Sequence, residues 1–151
     1  MKLAEALIER SDLQSKVQAL QFRMINNAKI QEGVEPNEKS TDLLNELDEK
    51  LERLEYLIIH INKTNEQTKC SNDLTISQMI AKRDIFKKKV SILGMYLNSA
   101  NQLIERVTHS EIKIVSAFSV VEMQKKIDTL SRELRLIDTK IQEQNWLAEL
   151  I

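Results

Sequence analysis

The sequence of 151 residues contains only two glycines and one proline. Folds with many β-strands need frequent turns, and glycine and proline supply much of the turn chemistry, so this composition excludes a β-sandwich or β-barrel. Hydrophobic residues make up 42% of the chain and charged residues 30%, which is typical of a soluble globular protein. Because Leu, Glu, Lys and Gln are abundant and favour helices, we expect few, long, uninterrupted helices.

Residues that support catalysis or metal binding are also scarce. His60 and His109 are the only histidines, and neither lies in a metal-binding motif such as Glu-x-x-His. Cys70 is the only cysteine, and no phosphate-binding or dinucleotide-binding glycine loop is present. The sequence therefore predicts no catalytic residues, no metal site and no cofactor, and the protein is not expected to be an enzyme.

Charge of one sign is lacking as well, since 22 basic and 23 acidic residues leave a net charge of −1. This balance argues against a nucleic-acid partner. The longest uncharged stretch, Val90 to Ile104, is interrupted by polar residues and is too short to span a bilayer, which argues against a membrane partner. The single thiol and a charged N-terminal stretch without signal-peptide character predict a cytoplasmic location.

Four segments carry apolar residues at alternating spacings of three and four. They predict helices over 2–32, 41–68, 76–106 and 120–149. The expected boundaries are Gly33 after the first helix, Ser40 or Thr41 as the cap of the second, and capping boxes at Thr75–Gln78 and Ser119–Glu122.

These helices would each be about 45 Å long, and the short links at 33–40 and 69–75 make neighbours antiparallel. We therefore predict one all-α domain over 1–151, an antiparallel four-helix bundle of long helices. Before the last helix, residues 107–118 alternate in polarity around Lys113 and predict a partly extended crossover.

The second helix shows where the apolar seam becomes polar. Its predicted seam runs through Leu44, Leu47, Leu51, Leu54, Ile58 and Ile61, and then reaches Asn65 and Thr68. With the predicted links, Arg10 lies level with residue 63, and Arg83 lies level with residues 61 and 143. We therefore predict one polar layer crossing all four helices, formed by Arg10, Asn62, Asn65, Arg83, Asp84, Asp138, Gln142, Gln144 and Asn145.

Buried guanidinium groups need partners, because an isolated buried charge is costly. The candidates for Arg10 and Arg83 are Glu9, Asp84, Asp138 and Glu143. The layer has three possible roles. The first is to set the register of the helices. The second is to hold a small anion through arginine and amide donors, and the third is to be buried between subunits.

Several stretches together resemble the septicolysin-annotated family of small bacterial proteins. They are MKLAEALIER at the start, NNAKIQEG with the following EP, INKTN, AKRD, SEIKIVS and IDTKIQEQNW. The resemblance covers nearly the whole chain and implies an all-helical protein of unknown biochemical function, with a cytolysin as the activity that the label names. It brings no catalytic residues. One departure is the link from Cys70 to Thr75, which lacks the glycine expected of a tight turn.

These observations favour a structural or protein-interaction role. Apolar residues outside the seams predict a homo-oligomer, in which a second copy would cover Leu7, Ile8, Leu43, Ile59 and Leu136. The alternatives are a membrane-active cytolysin, which would expose Val90–Ile104 or Ile114–Val121 to lipid, and a binder of a small anion through the polar layer.

Overall fold

The computed structural model describes residues 1–71, 73–102 and 113–151. Within these ranges four helices follow one another, α1 (Leu3–Asn26), α2 (Ser40–Gln67), α3 (Ile76–Asn101) and α4 (Val120–Leu147). Within the described ranges the only β-type pairings are two isolated bridges, Lys2 with Glu149 and Lys69 with Thr75. The predicted all-α class, a helical bundle with helix pairs in contact, is confirmed. No helix in the described part of the chain has the length and apolarity needed to cross a membrane.

Helix α1 ends at Asn26, six residues before the predicted end at residue 32. The side chain of Asn27 replaces the next helical bonds, because its amide nitrogen donates to the carbonyl oxygen of Arg23 at 2.9 Å. Its amide oxygen accepts from the backbone N–H of Glu38 at 3.2 Å. Asparagine side chains compete with the helical backbone in this way. Gly33 has a φ of 82°, a left-handed conformation that suits glycine, and lies in the middle of the long link.

The other helix starts were predicted within one residue. Lys39 occupies the cap position of α2, so the expected cap at Ser40 or Thr41 was wrong by one or two residues. Helix α3 begins directly after Thr75. At the start of α4 the backbone N–H of Glu122 donates to the hydroxyl of Ser119 at 3.3 Å, as expected of a capping serine. The predicted end of α3 at residue 106 and the first half of the crossover, residues 107–112, lie outside the described residues, and residues 113–116 have no regular structure.

The link between α2 and α3 turns without a glycine. Asp73 takes the left-handed conformation, with a φ of 60°, which aspartate tolerates better than most residues. The backbone N–H of Cys70 donates to Leu74 at 2.8 Å, and that of Ile76 donates to Thr68 at 3.1 Å. These bonds close the turn at the position where the sequence lacks glycine.

The contacts of the chain divide into two compact units, one formed by residues 1–76 and 144–151 and the other by residues 77–143. The single domain over 1–151 stays a prediction. In the first unit, α1 and α2 are antiparallel, as the ion pairs Glu9–Arg53 and Arg23–Glu46 show. The buried residues of the hairpin are Leu3, Ala4, Ala6, Leu20, Leu43, Leu57, Ile61 and Thr64.

The seam of α2 differs from the predicted one by a single position. Leu57 is fully buried, whereas its neighbour Ile58 is 39% exposed. Leu44 and Leu51, which also belonged to the predicted seam, are exposed too. Leu43, expected on the outer surface, is buried instead. At alternate seam positions helix α2 therefore packs through the residue before the predicted one, while Ile61 is buried as predicted.

In the second unit the apolar residues at spacings of three and four, which predicted α3 and α4, lie on the packed sides of these helices. Met79, Leu97 and Ile141 are buried, and the remaining seam positions in the described part are half-buried. The rings of Tyr96 and Phe118 lie 4.4 Å apart between centroids, which places the segment before α4 against the end of α3.

Candidate functional site

The predicted polar layer depended on the register of α1 against α2, and the structure corrects that register. Arg10 was expected level with residue 63. Its neighbour Glu9 instead forms a two-pronged ion pair with Arg53, with distances of 2.7 Å from Nε and 3.0 Å from Nη2. The ion pairs Glu9–Arg53 and Arg23–Glu46 place Arg10 level with about residues 52 to 59 of α2, roughly one to three helical turns from its expected level. It therefore does not share a level with Asn65.

Arg10 itself has no acidic partner among the described residues. Glu9, one of its candidates, is bound to Arg53, and this bond holds the pKa of the Glu9 carboxyl below its ordinary value. The Nε of Arg10 is buried without a hydrogen bond to any described residue, and so is the side-chain oxygen of Asn65. Both residues are half-buried as a whole.

The buried polar residue of α2 is Thr64, which the sequence did not single out. It is fully buried, and its hydroxyl donates to the carbonyl oxygen of His60 at 2.8 Å. The same hydroxyl accepts the backbone N–H of Ile151 at 2.9 Å. The signal was available, because the correct seam through Leu57 and Ile61 continues to Thr64.

Thr64 is part of a junction between the two ends of the chain, which we call the terminal junction. Its backbone bonds join the N–H of Leu3 to Ala148 at 3.0 Å and the N–H of Leu150 to Met1 at 2.9 Å. The ammonium group of Lys2 donates to the carbonyl oxygen of Leu147 and pairs with Glu149. The hydrogen bond from Lys2 lowers the pKa of the Glu149 carboxyl.

The remaining predicted layer residues of the first unit are Asn62, Gln144 and Asn145. Asn145 is buried, Gln144 is half-buried and Asn62 is exposed. Asn145 and Gln144 lie at the end of α4 beside the terminal junction, in the same unit as Thr64. The structure thus places polar residues at this end of α4 but leaves Asn62 on the surface.

In the second unit, Arg83 has the partners that were expected for it. Its Nε donates to a carboxylate oxygen of Asp84 at 2.9 Å, and the same nitrogen lies 3.8 Å from Asp138 on α4. Arg83 is half-buried and Asp84 exposed, so this group is neutralised at the surface. Gln142 is exposed. The structure therefore brings together Arg83, Asp84 and Asp138 from the predicted set.

Arg23 organises a further polar cluster that the sequence did not predict. Its guanidinium group binds Glu46 on α2 at 2.9 Å and binds Glu38 in the link between the helices. The hydrogen bond from Arg23 lowers the pKa of the Glu38 carboxyl. The bond from Lys50 is the main cause of the lowered pKa of Glu46. The cluster ties the link to both helices and leaves no positive charge for a ligand.

An apolar groove lies on the α1–α2 hairpin beside this cluster. Its volume is about 410 Å³. Its lining residues are Val17, Gln21, Met24, Ile25, Leu47 and Leu51. Further along α2, Ile58 and Ile59 are also exposed. Exposed apolar groups in such a row mark surfaces that bind other protein chains or apolar ligands.

The chain is similar in sequence and in structure to proteins of unknown function. Residues 10–150 match DUF6847, which is described as a family of unknown function. The chain belongs to the DUF6847 family. A crystal structure of a functionally unknown conserved protein from Corynebacterium diphtheriae is similar to this DUF6847 chain, with a TM-score of 0.88 and 34% sequence identity. The match covers 100% of this chain and 99% of that chain. A search of curated proteins finds no match.

The family assignment bears out the expected helical protein of unknown function and not the septicolysin label. Within the described residues of this DUF6847 chain, no group of three or more His, Cys, Asp or Glu side chains is arranged to hold a metal ion. What the described surface does offer is the apolar groove and the row of exposed apolar residues on α2.

Proposed function

We propose that this DUF6847 protein is a non-enzymatic cytoplasmic protein with a structural or protein-interaction role, and that it self-associates through the α1–α2 hairpin. The observation that carries the proposal is a row of exposed apolar residues on α2. Leu44 is 49% exposed, Leu51 is 43% exposed and Ile58 follows at the same spacing of seven.

A spacing of seven keeps these residues on one side of α2, next to the side that packs on α1. This is the arrangement of a coiled-coil seam that lacks its partner helix. Each side chain is half in water, so covering the row would add apolar burial at about 25 cal/mol per Å². A partner helix laid along the row would reach the groove through Leu51 and Ile25, which belongs to α1.

The test is the molar mass in solution, measured by light scattering during gel filtration. We expect an oligomer at about 100 µM chain, since a Kd of about 1 µM would leave few free chains. The variant Leu51→Glu should be a monomer with the same helix content by circular dichroism. Gln18→Glu, which adds the same charge at an exposed position of α1, is the matched control and should remain an oligomer. A wild type that stays monomeric at this concentration would overturn the proposal.

A second candidate function is binding of a small anion, and the buried Nε of Arg10 without a partner favours it. A guanidinium group is the side chain best suited to oxyanions. Under this reading, phosphate should raise the melting temperature of the wild type and leave Arg10→Met unchanged. Equal shifts in both proteins would reject it.

The family resemblance implies a third candidate, a membrane-active cytolysin. The exposed side chains of Ile114, Val115 and Val121 are the residues that it would present to lipid. Leakage of dye from liposomes at micromolar protein would support this candidate. A stable oligomer without effect on liposomes would count against it.

A further inference from the structure

The two middle helices carry opposite net charges. Helix α2 has three basic residues (Lys50, Arg53, Lys63) and seven acidic ones (Asp42, Glu46, Asp48, Glu49, Glu52, Glu55, Glu66), a net charge of −4. Helix α3 has five basic residues (Lys82, Arg83, Lys87, Lys88, Lys89) and one acidic one (Asp84), a net charge of +4. The net charge of the whole chain is close to zero, but two helices that are consecutive in sequence carry large charges of opposite sign.

On α2 the acidic residues are interleaved with the exposed apolar row. Asp48 lies four residues after Leu44 and three before Leu51, and Glu55 repeats this relation between Leu51 and Ile58. Together these five residues form what we call the acidic stripe. Neither Asp48 nor Glu55 has an ion pair with any described residue, and both are exposed.

Helix α3 shows the complementary pattern. Ile85 and Ile92 are seven residues apart and are 65% and 51% exposed. Lys88 and Lys89 lie between them, and both are exposed without an ion pair to any described residue. We call these four residues the basic stripe. All four residues are exposed and lie outside the buried seam of α3.

We propose that the acidic stripe of α2 in one copy packs against the basic stripe of α3 in a second copy. This inference rests on the self-association proposed above and names the surfaces that form it. Each apolar row would cover the other, and the interleaved lysines would meet carboxylates at the edges of the seam. Charges at the flanks of helix pairs select partners in this way.

Pairing of like stripes is disfavoured by the same charges. Two acidic stripes would set Asp48 and Glu55 against the same residues of the other copy, and two basic stripes would oppose lysines. Like charges across an interface reject a pairing. Since every copy carries both stripes, a two-fold symmetric dimer would use each stripe once and form the α2–α3 contact twice.

Cross-linking of single-cysteine chains tests which stripes meet. In a Cys70→Ser background, Glu52→Cys places a thiol beside the acidic stripe, and a second chain carries Lys88→Cys in the basic stripe. Under mild oxidation the mixture should give disulfide-linked dimers that contain one chain of each kind. Each variant alone should give much less. Dimers formed equally well by one variant alone would overturn the inference.

Charge reversal provides an independent measurement. Asp48→Lys with Glu55→Lys should weaken the dimer about tenfold or more, because like charges would then face each other at two places. A chain with Lys88→Glu and Lys89→Glu should show the same loss. Mixing the two reversed chains should restore the affinity, because both α2–α3 contacts of the mixed dimer then join opposite charges. The exposed pair Lys125→Glu with Lys126→Glu on α4 is the matched control and should leave the dimer intact.

The outcomes separate this inference from the proposed function. A monomeric wild type would reject self-association itself. A wild-type dimer that loses no affinity on either reversal, or that gains none on mixing, would keep self-association and reject the pairing of α2 with α3. A double variant with both cysteines that links only within one chain would also reject a second copy as the occupant.

Discussion

Two adjacent residues of α2, Leu57 and Ile58, allow the packing of the hairpin to be tested directly. Leu57 is fully buried and Ile58 is 39% exposed. Truncating Leu57 to alanine removes buried methyl groups and leaves a cavity, which costs about 2–5 kcal/mol in protein cores. Ile58→Ala removes a similar number of carbons from a partly hydrated site. Its cost should be about 1 kcal/mol, because only the covered part of the side chain contributes.

Urea unfolding followed by far-ultraviolet circular dichroism would measure both changes. The experiment should be run at low protein concentration, since dilution dissociates an oligomer and removes the contribution of self-association to stability. Under these conditions Leu57→Ala should lower the unfolding midpoint much more than Ile58→Ala. At high concentration Ile58→Ala should lose additional stability through weaker association.

Equal losses for the two variants would refute this reasoning. So would a larger loss for Ile58→Ala in the monomer. Either result would mean that α2 contacts α1 through the seam of Leu44, Leu51 and Ile58, and the row that carries the proposed function would be part of the core.

Three further predictions concern polar contacts. Glu9→Gln should reduce the loss of stability on acidification by less than about 1 kcal/mol. The pKa of the Glu9 carboxyl is lower in the folded state than in the unfolded state, where it is near 4.5. Its ion pair therefore stabilises the fold at pH values above 4.5, and this contribution is lost as the pH falls through the folded-state pKa. Thr64→Val should cost about 1–2 kcal/mol in urea unfolding, because it removes both hydrogen bonds of a buried hydroxyl. Arg23→Met should speed hydrogen exchange at the amide of Glu38, because the link loses its ion pair to α1.

Each of these changes has a control and a contradicting result. For Glu9→Gln the control is Asp12→Gln, and an identical pH dependence in wild type and Glu9→Gln would contradict the prediction. For Thr64→Val it is Thr129→Val, an exposed threonine that should change stability by less than about 0.5 kcal/mol. For Arg23→Met it is Arg132→Met, and unchanged exchange at Glu38 would show that Asn27 holds the link alone.

The number of helices and most of their starts follow from local information. Capping serines and threonines, alternation of apolar residues and the lack of glycine act within a few residues of each other, so a single sequence reveals them. The start of α4 after Ser119 is an example, since the bond that caps it spans three residues. The opposite net charges of α2 and α3 can also be counted directly from the sequence.

The end of α1 could not be read in the same way. Asn27 stops the helix partly because its side chain binds the backbone of Glu38, which lies on the other side of the link. Because α1 is shorter than predicted, the link to α2 is longer than predicted. Arg10 therefore does not lie at the level of Asn65, as the predicted register required. A layer inferred from register inherits every error in the helix boundaries.

The sequence by itself determined that the chain forms long helices, where most of them begin and which residues could face a partner. Only the tertiary structure decided which of two overlapping seams on α2 is buried. The seam through Leu43 and Leu57 and the seam through Leu44 and Ile58 share Leu47, Leu54 and Ile61, and both have the spacing of a helix–helix contact. The choice between them depends on how α1 faces α2. That orientation is set by side-chain packing and by the ion pair of Glu9 with Arg53, residues far apart in sequence.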